Sequence, residues 1–191
     1  MSGFGRFFFI LNVLVTPFME WINIQPVAIT DVDVLRTISI QTFIDTYGAV
    51  NTPENLEQHI ITHFSTEQLL KELQDETILY YFAWFDQQVA GFLRLNTGHS
   101  QTELKGERSL EIERIYVLKA FQGKKIGKLF CDKAVSVARD RGFDFVWLGV
   151  WEENPKAMGF YENYGFKAFG RHIFKLGDDD QQDILMKFQV L

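Results

Sequence analysis

The stretch that most restricts how this chain can fold runs from Leu110 to Val150. It opens on an apolar segment, Leu110–Val117, and passes into a long helical pattern from Lys124 to about Arg141. Ile126, Leu129, Phe130, Ala134, Val137 and Ala138 recur at helical spacing, so that helix has one buried face. Gly142 is its C-terminal stop. The following run, Phe145–Val150, is almost continuously apolar, as expected of a strand covered on both faces. Strand, long helix, strand reads as one parallel crossover pair.

The flanks build a larger sheet around that pair. Trp21–Ile29 alternates apolar and polar residues and reads as a strand. Asp31 is placed to cap a helix running to about Tyr47, with Val34, Leu35, Ile38, Phe43 and Ile44 as its apolar stripe and Gly48 as its end. Thr52-Pro53-Glu54 supplies a capping hydroxyl, a first-turn proline and an acid near the positive end of the dipole. Ser65–Gln68 has the pattern of a capping box opening a third, short helix. Thr77–Phe85 and Val89–Asn96 are strands joined by Asp86-Gln87-Gln88 as an antiparallel hairpin, and Thr97–Ser109 is a polar loop. Asn154-Pro155 starts a helix that Gly165 ends, and Phe166–Leu176 and Asp183–Gln189 are the last strands. The expected fold is α/β: a mixed, mostly antiparallel twisted sheet with one parallel crossover pair and flanking helices. A length of 191 residues without an internal repeat or linker fits one domain. Residues 1–18 stand apart. Phe7–Val15 is apolar but too short to span a bilayer, and no small-x-small cleavage site follows it. We read 1–18 as an extension and 19–191 as the domain.

A formal net charge of −6 argues against a nucleic-acid partner. The single cysteine, Cys131, excludes an internal disulfide and any multi-cysteine metal site, and it points to a reducing, cytoplasmic setting. In its helical context Cys131 reads as a small core residue. His59 and His63 have metal-ligand spacing, but no Glu-x-x-His context and no third ligand accompany them, so they read as a half-exposed pair and no metal is expected. Trp84, Trp147 and Trp151 read as core. Chemistry gathers instead at Gln122–Gly127, Gln-Gly-Lys-Lys-Ile-Gly. A helix opening there leaves its first amides unpaired, and these donors with the dipole suit a pyrophosphate. Gly123 permits close backbone approach, Gly127 close helix packing, and Lys124, Lys125 and Lys128 add positive charge. The turn lacks the Gly-Lys-Ser/Thr of a Walker motif and the glycine spacing of the dinucleotide fingerprint. On the strand before it, a period of two puts Glu111, Glu113, Ile115 and Val117 on one face. On the helix after Asn154, Ala157 or Met158 and Tyr161 continue one stripe.

These segments together resemble the two signatures of the GNAT (GCN5-related N-acetyltransferase) family. Gln122 and Gly127 match the first and last positions of Gln/Arg-x-x-Gly-x-Gly/Ala, with Lys125 standing where the first glycine is expected. Asn154–Phe166 matches Asn-x-x-Ala-x-x-Phe-Tyr-x-x-x-Gly-Phe without a gap. Gln41–Phe43, Thr52–Asn55, Ser109–Tyr116, Trp147–Glu152 and Gly177–Gln181 are similar to the PaiA-type branch, whose members acetylate spermidine and spermine. The resemblance covers roughly residues 20–191.

The resemblance implies a sheet splayed around acetyl-CoA and transfer of the acetyl group to a primary amine of a polyamine. The backbone of Ile115, Tyr116 and Val117 would bind the pantetheine arm as an extra strand. Gln122, Gly123, Lys124, Lys125, Ile126 and Gly127 would cradle the pyrophosphate, with Asn154 and Tyr161 along the ligand. An alkylamine with a pKa near 10.4 must lose a proton before it attacks, and the leaving thiolate gains from protonation. Glu111, ahead of Glu113, is the expected base and Tyr161 the expected acid. Asp45, Tyr47, Glu54 and Asp178 are the expected amine contacts. The expected partner is a small-molecule amine, with no nucleic acid and no membrane, in a chain that forms a homodimer. Two alternatives stay open: the same chemistry on another amine, such as a protein N-terminus or a small antibiotic, and a regulator that senses CoA or polyamine without turnover.

Overall fold

The computed structural model describes residues 21–176 and 179–190. Residues 1–18, read above as an extension, and Asp178 lie outside the described residues. Strand β1 (Ile22–Pro26) leads through a 3-10 turn into helix α1 (Val32–Tyr47). The strand stops short of Ile29 because the Asp31 carboxylate accepts the Ala28 amide at 3.1 Å and folds the chain into that turn. Asp31 therefore does not cap α1 with its side chain. The buried stripe of α1 is Leu35, Ile38, Ser39, Thr42 and Phe43, whereas Val34 and Ile44 are each 44% exposed. Strict i, i+3, i+4 spacing draws two hydroxyls into the stripe. The Thr42 hydroxyl is satisfied by donating to the Ile38 carbonyl at 2.7 Å.

Helix α2 (Pro53–His63) is capped by Thr52, whose hydroxyl accepts the Asn55 amide at 3.2 Å. Helix α3 (Thr66–Leu73) has half of the expected capping box: Ser65 accepts the Gln68 amide, but the Gln68 side chain donates to Glu72 instead of reaching back. Strands β2 (Ile78–Phe85) and β3 (Gln88–Thr97) form the predicted hairpin. Its turn is two residues rather than three, since Asp86 and Gln87 both take positive φ (45° and 68°) and Gln88 already pairs with Phe85.

Strand β4 (Ser109–Val117), helix α4 (Ile126–Asp140) and strand β5 (Phe145–Trp151) make the parallel crossover. Helix α5 (Pro155–Tyr164) and the hairpin of β6 (Lys167–Leu176) and β7 (Asp179–Gln189) complete the domain. Among the described residues the sheet has seven strands in the order β1-β2-β3-β4-β5-β7-β6, with only β4–β5 parallel. One face packs Leu93, Leu95, Leu110, Ile112, Val146 and Leu148 against Ile126, Phe130, Cys131 and Ala134 of α4. The other packs Tyr80, Phe82 and Phe92 against Leu35, Ile38 and Leu69 of α1 and α3. No helix among the described residues is long and apolar enough to cross a membrane.

Two features of β4 position the site. It pairs with β5 over Ser109–Glu111 alone and then parts from it, while β5 continues along β7. From Ile112 onward β4 therefore presents one unpaired backbone edge to a wedge. The second feature is a bulge. Leu95 pairs with Ile112 and Arg94 with Arg114, so Glu113 is an extra residue and the alternation shifts by one. Leu110, Ile112, Ile115 and Val117 face α4, and Glu111, Glu113, Arg114 and Tyr116 face α1–α3. The expected common face of Glu111, Glu113, Ile115 and Val117 is thus corrected: a period of two fails across a bulge.

Candidate active site

The wedge between β4 and β5 opens into a cavity of about 560 Å³. Ile115, Tyr116 and Val117 form one wall with their free backbone edge, and Asn154, Ala157, Phe160 and Tyr161 of α5 form another. Gln122, Gly123, Lys125, Ile126 and Gly127 close one end. The turn before α4 is built for backbone approach. Gly123 has φ 82° and open space where a Cβ would stand. Lys125 has φ 64° and is the residue from which α4 starts, two residues later than predicted. Leu129 donates the helix's first bond, to the Lys125 carbonyl at 3.2 Å, so the amides of Ile126, Gly127 and Lys128 make no bond within the helix. A left-handed lysine here does the conformational work expected of a glycine, at a cost of about 1–2 kcal/mol. Gly127 lets α5 approach: a Cβ on it would lie 3.3 Å from the Phe160 ring. Lys124 points elsewhere, with its ammonium 4.4 Å from the Phe85 ring.

On α5, Asn154 accepts the Ala157 amide at 3.0 Å, which fixes the helix start and leaves its Nδ2 donors for a ligand. Tyr161 stands two turns further, wedged between the rings of Phe160 and Phe166. Burial raises its phenol well above the ordinary tyrosine value, so it stays protonated. Cys131 lies under this layer, and burial pushes its thiol up to about 12. It is inert core, as the sequence indicated.

The glutamates of β4 stand outside the cavity. Glu111 is 3% exposed. Its carboxylate accepts from Asn96 Nδ2 at 3.1 Å, from the Thr102 amide at 2.9 Å and from the Thr102 hydroxyl at 2.5 Å. Burial raises its carboxyl above the ordinary range, with these bonds and the nearby Glu113 as smaller influences. Glu111 ties the 98–108 loop to the sheet. Glu113 lies in an ion-pair cluster, 2.8 Å from Arg94 Nε and 3.1 Å from Arg114, with Arg94 also 3.4 Å from Glu72. Above this cluster His59 stacks on Phe43 at 4.2 Å and leans on His63 at 4.4 Å. Burial first, then the neighbouring His63 and Arg114, lower His59 to about 3. The pair is a neutral packing element. Among the described residues no group of three side chains suits a metal ion.

The expected amine contacts divide. Asp45 lines the cavity and pairs with Lys119 across its mouth at 3.3 Å. Tyr47 lies behind it, hydrogen-bonded to the Tyr116 hydroxyl, with its ring 6.5 Å from Trp151. Trp151 is consequently half-buried beside the site, whereas Trp147 is core and donates to Gln101 at 2.7 Å. Glu54 is an exposed first-turn acid of α2 and is not among the cavity residues. Sequence reasoning missed Thr42, Thr46, Lys119 and Lys156 in the lining. Lys156 could have been found, since it lies inside the second signature. The α1 hydroxyls enter through tertiary packing alone.

Comparison with known proteins agrees with this geometry. The model of the Acetyltransferase (GNAT) family matches residues 42–166. An uncharacterized N-acetyltransferase from the pepI 3' region of Lactobacillus delbrueckii subsp. lactis is 37% identical over 169 residues, covering 88% of this chain and 98% of its own length. The spermidine N(1)-acetyltransferase of Thermoplasma acidophilum is 26% identical over 170 residues, covering 87% of this chain and 96% of its own. The crystal structure of the PaiA N-acetyltransferase of Thermoplasma acidophilum in complex with coenzyme A superimposes with a TM-score of 0.72 at 25% identity, over 88% of this chain and 99% of that one.

Proposed function

Because the chain belongs to the acetyltransferase (GNAT) family and is an acetyl-CoA-dependent N-acetyltransferase, we propose that its acceptor is a primary amine of a polyamine such as spermidine or spermine. The observation that carries the chemistry is the convergence on one cavity of the free β4 edge, the Gly123–Gly127 turn, Asn154 and Tyr161. The polyamine reading draws support from the similarity to a spermidine N(1)-acetyltransferase over nearly the whole domain. It draws further support from a net charge of −6, which attracts polycations.

In this reading acetyl-CoA supplies the activated acetyl group as a thioester. The edge of Ile115–Val117 turned away from β3 holds its pantetheine arm as a strand, with the long Gln122 Nε2 bond to the Val117 carbonyl, at 3.4 Å, giving way to it, and the turn amides with Lys125 take its pyrophosphate. An amide of the β4 edge polarises the acetyl carbonyl, as an oxyanion-hole donor does. Tyr161, kept protonated by burial, donates to the departing thiolate. Glu111 and Glu113 contribute by shaping β4 rather than by touching the amine, since hydrogen bonds and ion pairs already engage both.

Thiol release from acetyl-CoA with a panel of amines tests the proposal. Spermidine or spermine as the preferred acceptor supports it. Turnover confined to N-terminal peptides or aminoglycosides would replace the acceptor, and acetyl-CoA binding without turnover of any amine would replace the enzyme reading with a sensing role.

A further inference from the structure

We propose that Asp183 is the carboxylate that receives the attacking ammonium and takes its first proton, seated over Gly149 beside the Tyr47–Trp151 ring pair. The inference rests on the amine-acetylating reading above and names a residue in it.

Four observations place Asp183 there. By register Asp183 of β7 stands opposite Trp151 of β5 and His172 of β6, on the sheet face that also carries Tyr116. Its carboxylate leans over a deliberate gap: a Cβ on Gly149 would lie 3.1 Å from Asp183 Oδ2. Gly149 itself is exposed, so the gap opens outward from the sheet. Tyr47 links this position to the cavity. Its ring is 6.5 Å from Trp151, its hydroxyl bonds Tyr116 of the cavity wall, and it lies in the field of both Asp183 and Tyr161.

The carboxylate is half-buried and, among the described residues, has no hydrogen bond or ion pair. The cross-strand neighbour His172 is engaged by Glu103 at 2.7 Å. A desolvated carboxylate without a partner is costly unless a cation completes it, and an ammonium held against a neighbouring aromatic ring is such a cation. Burial raises the carboxyl, with His172 as a smaller opposing influence, which makes it a better proton acceptor than an exposed aspartate. The other groups in its field are Tyr47 and, through Tyr47, Arg114 with its partner Glu113.

The ammonium loses two protons in becoming an amide. The first passes to Asp183 and from it to solvent. The second ends on the CoA thiol by way of Tyr161, as the N–C bond forms and the C–S bond breaks.

The test is Asp183→Asn assayed across pH with spermidine. The expected result is a fall of at least about 100-fold in kcat/KM for the amine near pH 7.5, with the KM for acetyl-CoA unchanged. The deficit shrinks towards pH 9.5, because two pH units supply about 100-fold more neutral amine below its pKa near 10.4. Gly149→Ala, which occupies the carboxylate's space, raises the amine KM several-fold without moving the KM for acetyl-CoA. An Asp183→Asn enzyme with wild-type kcat/KM, or with the same deficit at every pH, overturns the proposal. If the wild type acetylates a different amine, the polyamine reading fails, and that amine carries the same pair of outcomes for Asp183. If it acetylates none, calorimetry of spermidine with the CoA-loaded protein decides: no binding, or equal binding in Asp183→Asn, overturns the assignment.

Discussion

Replacing Glu111 separates a catalytic base from a structural tether. In the folded protein its Oε2 accepts from Asn96 and the Thr102 amide, and its Oε1 accepts from the Thr102 hydroxyl. Glu111→Gln keeps most of this. The amide oxygen takes the two nitrogen donors, and the new NH₂ donates to a Thr102 hydroxyl that has only to rotate. The loss is the charge assistance, offset by no longer burying a charge, so about 1 kcal/mol is expected. Glu111→Ala leaves the Asn96 amide, 1% exposed, without its acceptor, and opens a hole beside Trp147. Thr102 is exposed, so its donors recover water. One stranded buried donor together with the lost side chain gives about 2–4 kcal/mol. Urea unfolding measures both variants, and amine kinetics runs in parallel. A tether predicts kcat/KM within about threefold of wild type for the glutamine variant. The pH dependence has a definite sign. Because burial raises the Glu111 carboxyl, the folded state holds that proton at higher pH than the unfolded state. Stability from this group falls as pH rises from the ordinary glutamate value, about 4.3, through the raised one. Glu111→Gln removes that slope. A glutamine variant of wild-type stability whose kcat/KM is down 100-fold or more at pH 7 and recovers at alkaline pH would refute the tether and restore Glu111 as the base.

Further expectations follow from the same geometry. Tyr161→Phe lowers kcat about 100-fold, equivalent to about 2.7 kcal/mol of barrier, with the KM for acetyl-CoA unchanged; an unchanged kcat rules out the acid role. Lys125→Gly leaves the urea midpoint nearly unmoved, because relief of a left-handed side chain and the gain in unfolded-state entropy cancel to within about 1 kcal/mol. The same change raises the KM for acetyl-CoA and weakens its salt dependence, and a KM insensitive to the substitution would remove Lys125 from the cradle. His59, held at about 3 when folded, binds its proton more readily unfolded, so the stability it confers is present above pH 6.5 and is lost as pH falls from there towards 3. His59→Phe, which keeps the stack on Phe43, should flatten the urea midpoint between pH 6.5 and 5, and an unchanged slope would show that another group sets it.

Most of the scaffold was legible because it rests on local rules. The parallel crossover follows from two apolar runs flanking one amphipathic helix. Thr52, Ser65 and Asn154 cap the helices they precede because a short polar side chain reaches the amide three residues on. The two segments that meet at the cavity were legible for a similar reason: Gln122–Gly127 and Asn154–Tyr161 are each contiguous in sequence, and most of their residues line it.

The acceptor side was not legible, and one residue explains much of it. The bulge at Glu113 cannot be seen in an alternating pattern, yet it turns Glu111 and Glu113 away from Ile115 and Val117 and undoes the argument that made them bases. Glu54 and Lys124 have suitable chemistry and stand elsewhere. Asp183 carried no signal, because what distinguishes it is the missing side chain at Gly149 on a neighbouring strand.

The sequence by itself determined most of the elements, the caps of α2, α3 and α5, the crossover and the two signature segments that meet at the cavity, since each depends on spacing within about a dozen residues. Only the tertiary structure decided that Glu111 and Glu113 are already engaged and that the half-buried Asp183 has no partner among the described residues. That is a property of neighbours brought together from β4, β5, β7 and α1, and it depends on a one-residue register shift in one strand and a missing Cβ in another.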